Sequence, residues 1–127
     1  MSDDKKQILV ADDELNLRRV LEAQLKRDGY DVIAVEDGQQ ALDALEDHHV
    51  DVIISDLRMP KVDGMTLLKQ AVADFPDVPV IIITAHGTVD TAVEALKLGA
   101  FDYITKPFEQ SELRNVVGKA AKTRELT

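Results

Sequence analysis

Five residues with chemical potential stand at or just after short runs of β-branched apolar residues. Asp12 and Asp13 follow "ILVA", Asp56 follows "VIIS", Thr84 closes "VIIIT", and Lys106 follows "FDYIT". A carboxylate is a costly neighbour for a buried strand unless something compensates its charge. Carboxylate oxygens can ligate a hard cation, and a lysine ammonium is a point charge suited to an anion such as phosphate. Both chemistries require these residues to meet.

The elements that would bring them together alternate along the chain. Strands are expected at Ile8 to Ala11, Val32 to Val35, Val50 to Ser55, Val80 to Thr84 and Phe101 to Thr105. Helical periods lie between and after them, marked by Leu17, Val20, Leu21 and Leu25, then Ala41, Leu42 and Leu45. They continue with Met65, Leu68, Val72 and Phe75, then Val89, Ala92, Val93 and Leu96, and last Leu113, Val116, Val117 and Ala120. Gly29 and Gly99 sit where the first and fourth helices should stop, and Pro76 follows the third. Five β-α units of this size build a doubly wound α/β fold, a five-stranded parallel sheet with five helices over its two faces.

Composition is consistent with one such domain. The chain has 127 residues, 45% hydrophobic and 31% charged, with no cysteine to form a disulfide or a thiolate metal site. No apolar run approaches the roughly 20 residues of a membrane span, and the start "MSDDKKQ" lacks a signal-peptide core, so a cytoplasmic location is expected. A net charge of -9 argues against this domain gripping nucleic acid, which relies on Lys and Arg at phosphates.

In a parallel sheet the carboxyl ends of the strands share one rim, and ligands bind where the strand order reverses. Asp12, Asp13, Asp56, Thr84 and Lys106 should converge there. Taken alone, each aspartate reads as a helix cap or turn residue. Together, three carboxylates about 4.5 Å apart would repel by roughly 3–4 kcal/mol per pair at an effective dielectric near 20. A cation is therefore implied. With oxygen ligands only, Mg²⁺ is the natural candidate, and Mn²⁺ or Ca²⁺ could substitute.

The stretches "ILVADDE", "DVIISDLRMPKVDGM", "VIIITA" and "GAFDYITKPF" resemble the acidic pair, phosphoacceptor strand, switch threonine and Lys-Pro turn of the receiver domain of two-component response regulators. Four motifs match in order, from Lys6 to Ala121, and "GAFDYITKPFEQSEL" is most similar to receivers of enhancer-binding, nitrogen-regulation-class transcription activators. The resemblance implies the flavodoxin-like strand order 2-1-3-4-5. It also implies that Asp56 takes a phosphoryl group from a histidine kinase or histidine phosphotransfer protein. Asp13, Asp56 and the backbone carbonyl of Arg58 would hold Mg²⁺, with Asp12 acting mainly through a metal-bound water. Lys106 would pair with phosphoryl oxygens, aimed by a cis bond to Pro107. Thr84 and Tyr103 would be the switch pair, and Arg58 and His86 would flank the pocket mouth. Such a protein is no conventional enzyme; it catalyses its own phosphorylation and, in part, its dephosphorylation.

Two other classes fit less well. A haloacid-dehalogenase-like phosphatase would need a second aspartate two positions after Asp56, where Arg58 stands. A flavodoxin-like electron carrier would need a Ser-, Thr- and Gly-rich phosphate loop where this chain has "ADDELN". A stand-alone phosphorelay receiver and an interaction module that is never phosphorylated share the fold and stay open. Among other residues, His48 and His49 read as a surface turn on the opposite rim, Thr88 as a helix N-cap with Asp90 in the first turn, and Gly38 and Gly64 as turn or helix-start residues. The last stretch, "VVGKAAKTRELT", has no stop comparable to Gly29, Gly99 or Pro76. The expectation is a receiver over residues 1–122, with helix to Ala121 and then fraying, and with 123–127 beginning a linker to an output domain. Dimerisation or coupling is expected through the fourth and fifth helices.

Overall fold

The computed structural model describes residues 5–85 and 88–125, the last two by their backbone only. Strands and helices alternate as β1 (Gln7–Ala11), α1 (Leu15–Arg27), β2 (Asp31–Val35), α2 (Gly38–Asp47), β3 (Val52–Ser55), α3 (Gly64–Asp74), β4 (Val80–Thr84), α4 (Val89–Lys97), β5 (Asp102–Thr105) and α5 (Gln110–Glu125). All strand pairs are parallel, in the order β2-β1-β3-β4-β5. The fold class and strand order are those expected.

Successive strand residues face opposite sides, so a sheet covered on both faces needs apolar residues at nearly every position. Leu9, Ile53 and Ile82 pack with Ala41, Leu45, Leu67, Leu68 and Ala95 on one face. Ile8, Val10, Val52, Ile54 and Ile83 pack with Leu21, Leu25, Leu113 and Val117 on the other. The helix stops also behave as their residues suggest. Gly29 and Gly99 have φ of 100° and 111°, a region that costs glycine little. Around them Tyr30 N–H reaches the Leu25 carbonyl and Ala100 N–H the Ala95 carbonyl, both at 3.0 Å, the bonds of a Schellman end.

Four expectations shift. β3 begins at Val52 rather than Val50, because Asp51 turns its side chain back to accept the Gln7 N–H at 2.9 Å. β5 begins at Asp102, leaving the exposed Phe101 outside it. In α4 the apolar period is not the buried face: Val89, Val93 and Leu96 are 79%, 45% and 49% exposed, and Ala95 is the buried residue. Finally, α5 runs past Ala121 to Glu125, with no glycine or proline to interrupt residues 119–125.

Candidate functional site

The carboxyl rim of β1, β3 and β5 carries the chemistry. The Asp56 N–H donates to the Ala11 carbonyl at 3.0 Å, continuing the ladder one residue past β3, and the Asp12 N–H donates to Val35 at 3.1 Å in the same way. Each aspartate is thus fixed at its backbone by sheet pairing, and each side chain leaves the core at the rim. Ser55 Oγ donates to the Asp56 carbonyl at 2.8 Å, and Arg18 Nη1 donates to the Asp12 carbonyl at 2.8 Å. Gly64 packs so closely on the Asp56 carbonyl that no side chain would fit between them.

Lys106 joins the two buried aspartates. Its Nζ lies 2.8 Å from Asp56 Oδ2 and 3.2 Å from Asp12 Oδ2. The Lys106–Pro107 bond is cis, as expected, and the Lys106 N–H donates to the Thr84 carbonyl at 3.0 Å. The other Asp56 oxygen, Oδ1, receives a long bond of 3.3 Å from the Arg58 N–H, and Asp12 Oδ1 accepts the Glu14 N–H at 2.9 Å. Asp12, Asp13 and Asp56 each place a carboxylate oxygen within 4.8 Å of the others, with Asp13 on the solvent side.

One ammonium does not balance three carboxylates. Burial pushes the Asp12 carboxyl above the usual carboxylate range, against the pull of the Glu14 N–H and of Lys106, and the charge of Asp56 adds to the rise. Burial by itself would lower the Lys106 pKa, but its bonds to Asp56 and Asp12 and their charges outweigh that, and the ammonium is held above its usual range. The donor set is all oxygen and carries excess negative charge. It fits a hard divalent cation such as Mg²⁺.

The structure therefore brings together Asp12, Asp13, Asp56 and Lys106, with Thr84 one backbone bond away. Tyr103 stands apart: it pairs with Ile82 across the sheet, packs on the α4 side, and its hydroxyl lies 3.0 Å from Thr91 Oγ1. Arg58 exposes its side chain at the rim, and His86 lies outside the described residues. Beside Lys106 an open cleft of about 580 Å³ is walled by Leu17, Val20, Pro107 and Phe108. Sequence reasoning did not single out Ser55, Arg18 or Thr91; nothing in their spacing ties them to the rim.

A model of the response regulator receiver domain matches residues 8–118. The chain belongs to the response regulator receiver family. The receiver is 41% identical to the regulatory protein AtoC of Escherichia coli over 94% of this chain and 26% of that protein. To the DNA-binding transcriptional regulator NtrC of Klebsiella pneumoniae it is 45% identical, over 87% of this chain and 24% of the relative. The chain thus spans about a quarter of the length of these two relatives, and the expected likeness to nitrogen-regulation-class receivers is found. Among solved structures, a receiver domain protein of Clostridium thermocellum matches with a TM-score of 0.90 at 33% identity, covering 95% of this chain and 98% of that one. The receiver domain of NtrX from Brucella abortus matches at 0.87 and 34%, covering 91% and 98%.

Proposed function

We propose that this receiver is a phosphorylation-activated switch in which Asp56 accepts a phosphoryl group from a histidine kinase or histidine phosphotransfer protein in a Mg²⁺-dependent reaction. The observation that carries the reading is the double contact of Lys106 with Asp12 and Asp56 inside an under-compensated acidic cluster. Phosphoryl transfer is chiefly positioning and charge neutralisation. An Asp56 oxygen forms a bond to phosphorus as the P–N bond of a phosphohistidine breaks, and the electron pair stays on the departing imidazole. Lys106 exchanges its Asp56 contact for the incoming phosphoryl oxygens. Asp13, Asp56 and the Arg58 carbonyl would hold the cation, with Asp12 beside them, and bound Mg²⁺ would supply neutralisation of phosphoryl charge. The cleft between α1 and Pro107-Phe108 leaves a protein donor a path to the rim.

After transfer, the Thr84 hydroxyl bonds the phosphoryl group and Tyr103 turns inward, changing the α4-β5-α5 surface. The exposed Val89, Val93 and Leu96 make that surface suited to a second copy or an output domain. Residues 1–122 act as the cytoplasmic receiver and 123–127 lead toward a transcriptional output domain, a reading supported by the greater length and the regulatory names of the relatives. In the test, a small acyl-phosphate donor with Mg²⁺ adds one phosphoryl group, seen by intact mass, and Asp56→Asn abolishes it. Phosphorylation of the variant would refute the site. A protein that is modified in neither form is the unphosphorylated interaction module instead.

A further inference from the structure

The loop between β3 and α3 carries Arg58, and its far side is held by the start of α2. Val62 N–H donates to the Pro60 carbonyl at 2.8 Å, closing a three-residue turn on Lys61, whose φ of 68° lies in the left-handed region. A γ-turn of this hand is rare and strained, and such strain persists only where the surroundings over-determine it. Lys61 is the one non-glycine residue with positive φ among those described.

Two contacts from α2 supply that constraint. Buried Asp37 caps the helix by accepting the Gln40 N–H on Oδ1 at 2.8 Å, and its Oδ2 faces Lys61 Nζ at 3.6 Å. Gly38, the first residue of α2, packs on the Val62 carbonyl at a distance that an added Cβ would violate. The base of the loop is closed independently, because Gly64 N–H donates to the Leu57 carbonyl at 2.8 Å while Met59 is buried in the core. Between that base and the α2 contact lies the Arg58 backbone, whose N–H is already on Asp56 Oδ1.

We propose that Asp37, Gly38 and Lys61 form a clamp through which the start of α2 holds the β3–α3 loop, and with it the Arg58 backbone, against the acidic cluster, so that α2 sets the affinity of that cluster for a divalent cation. The inference rests on reading the cluster as a Mg²⁺ site. A ligand group on a loop that is in place only part of the time lowers the apparent affinity by that fraction. Asp37 and Lys61 are positioning residues, remote from the reacting atoms. The Lys61 side chain is 68% exposed, so the pair contributes little to global stability, and cation affinity is the quantity that separates a clamp from an ordinary surface pair.

The experiment is calorimetric titration of Mg²⁺ into the whole chain, alongside thermal unfolding without the metal. Lys61→Gln keeps a side chain at the left-handed turn and removes only the ammonium. It should weaken Mg²⁺ binding about three- to tenfold, as expected if the loop is in place a third to a tenth of the time, with the unfolding midpoint little changed. Lys61→Arg should bind as the wild type does. Gly38→Ala should act in the same direction and further, provided it folds; Lys61→Gln, at the surface, decides the matter if it does not. Wild-type affinity in Lys61→Gln would overturn the clamp and leave the metal site standing. A wild type that binds no Mg²⁺, or an Asp13→Ala variant that binds it as well as the wild type, would overturn the site reading and the clamp with it.

Discussion

The Tyr103 hydroxyl lies 3.0 Å from Thr91 Oγ1, and that same oxygen accepts the Thr88 N–H at 2.8 Å to complete the capping box of α4. The phenol and the helix cap share one atom. In the proposed switch, an inward turn of Tyr103 would have to release Thr91, which would couple that motion directly to the first turn of α4. Thr91→Val keeps the shape and removes the hydroxyl, so the Thr88 N–H loses its acceptor while Thr88 Oγ1 still caps the Thr91 N–H, at a cost of about 1 kcal/mol for the lost hydrogen bond. Amide exchange in the first turn of α4 should quicken in that variant, and Thr91→Ser should restore protection. Equal protection in Thr91→Val and wild type would show that the cap does not depend on this oxygen.

Lys106 neutralises part of a buried acidic pair, and its removal leaves Asp12 and Asp56 facing one another. Breaking a buried ion pair from one side costs about 3–5 kcal/mol. Lys106→Met should therefore unfold at distinctly lower urea concentration without Mg²⁺, and added Mg²⁺ should recover part of the difference. A midpoint within error of the wild type would mean that the ammonium contributes no net stability.

Asp12 sets a pH dependence of definite sign. Its pKa in the folded chain lies above its ordinary value of 3.8, so between the two values the folded state holds the extra proton and stability falls as pH rises. The cost is complete above the folded pKa and absent below 3.8. Asp12→Asn should be more stable than the metal-free wild type at pH 7, with the advantage shrinking toward pH 4. Lys106 contributes in the opposite range: its stabilisation is whole below 10.5 and is lost as pH rises through the higher folded value. Urea titrations of both proteins across pH would expose either sign as wrong.

Gly64 and Gly118 should respond oppositely to alanine. A Cβ at Gly64 would overlap the Asp56 carbonyl, so Gly64→Ala should cost about 1–3 kcal/mol and displace the Asp56 backbone. At Gly118, inside α5, a Cβ meets nothing within 4 Å, and Gly118→Ala should stabilise by roughly 0.5–1 kcal/mol. Thermal melts of the two variants that shifted together would contradict the packing.

The rim residues were legible because a parallel sheet converts "apolar run, then aspartate" into a position in space. Asp12, Asp56 and Lys106 needed only the alternation of elements to be placed together. Val89, Val93 and Leu96 misled for the converse reason: periodicity marks an apolar stripe on α4 but cannot tell whether it faces this chain's core or a surface, and here Ala95 faces the core. The start of β3 was misplaced because Asp51 bonds back to Gln7, across 44 positions. Arg18, Ser55 and Thr91 escaped notice because they act through backbone carbonyls or shared hydroxyls, which leave no compositional mark.

The strand order has a consequence for how the chain acquires its structure. β1 lies between β2 and β3, so the first half of the sequence can pair three adjacent strands without waiting for the second. Contacts with short loops to close form earlier, and the amino-terminal part of a chain emerges first during synthesis. Asp12, Asp13 and Asp56 would then be gathered on a nascent half-sheet whose counter-ion, Lys106, waits just past the last strand to dock. Self-repulsion should slow that stage at neutral pH, and refolding of the intact chain should be faster with Mg²⁺ present. An identical refolding rate with and without the cation would mean that the acidic cluster assembles only after Lys106 arrives.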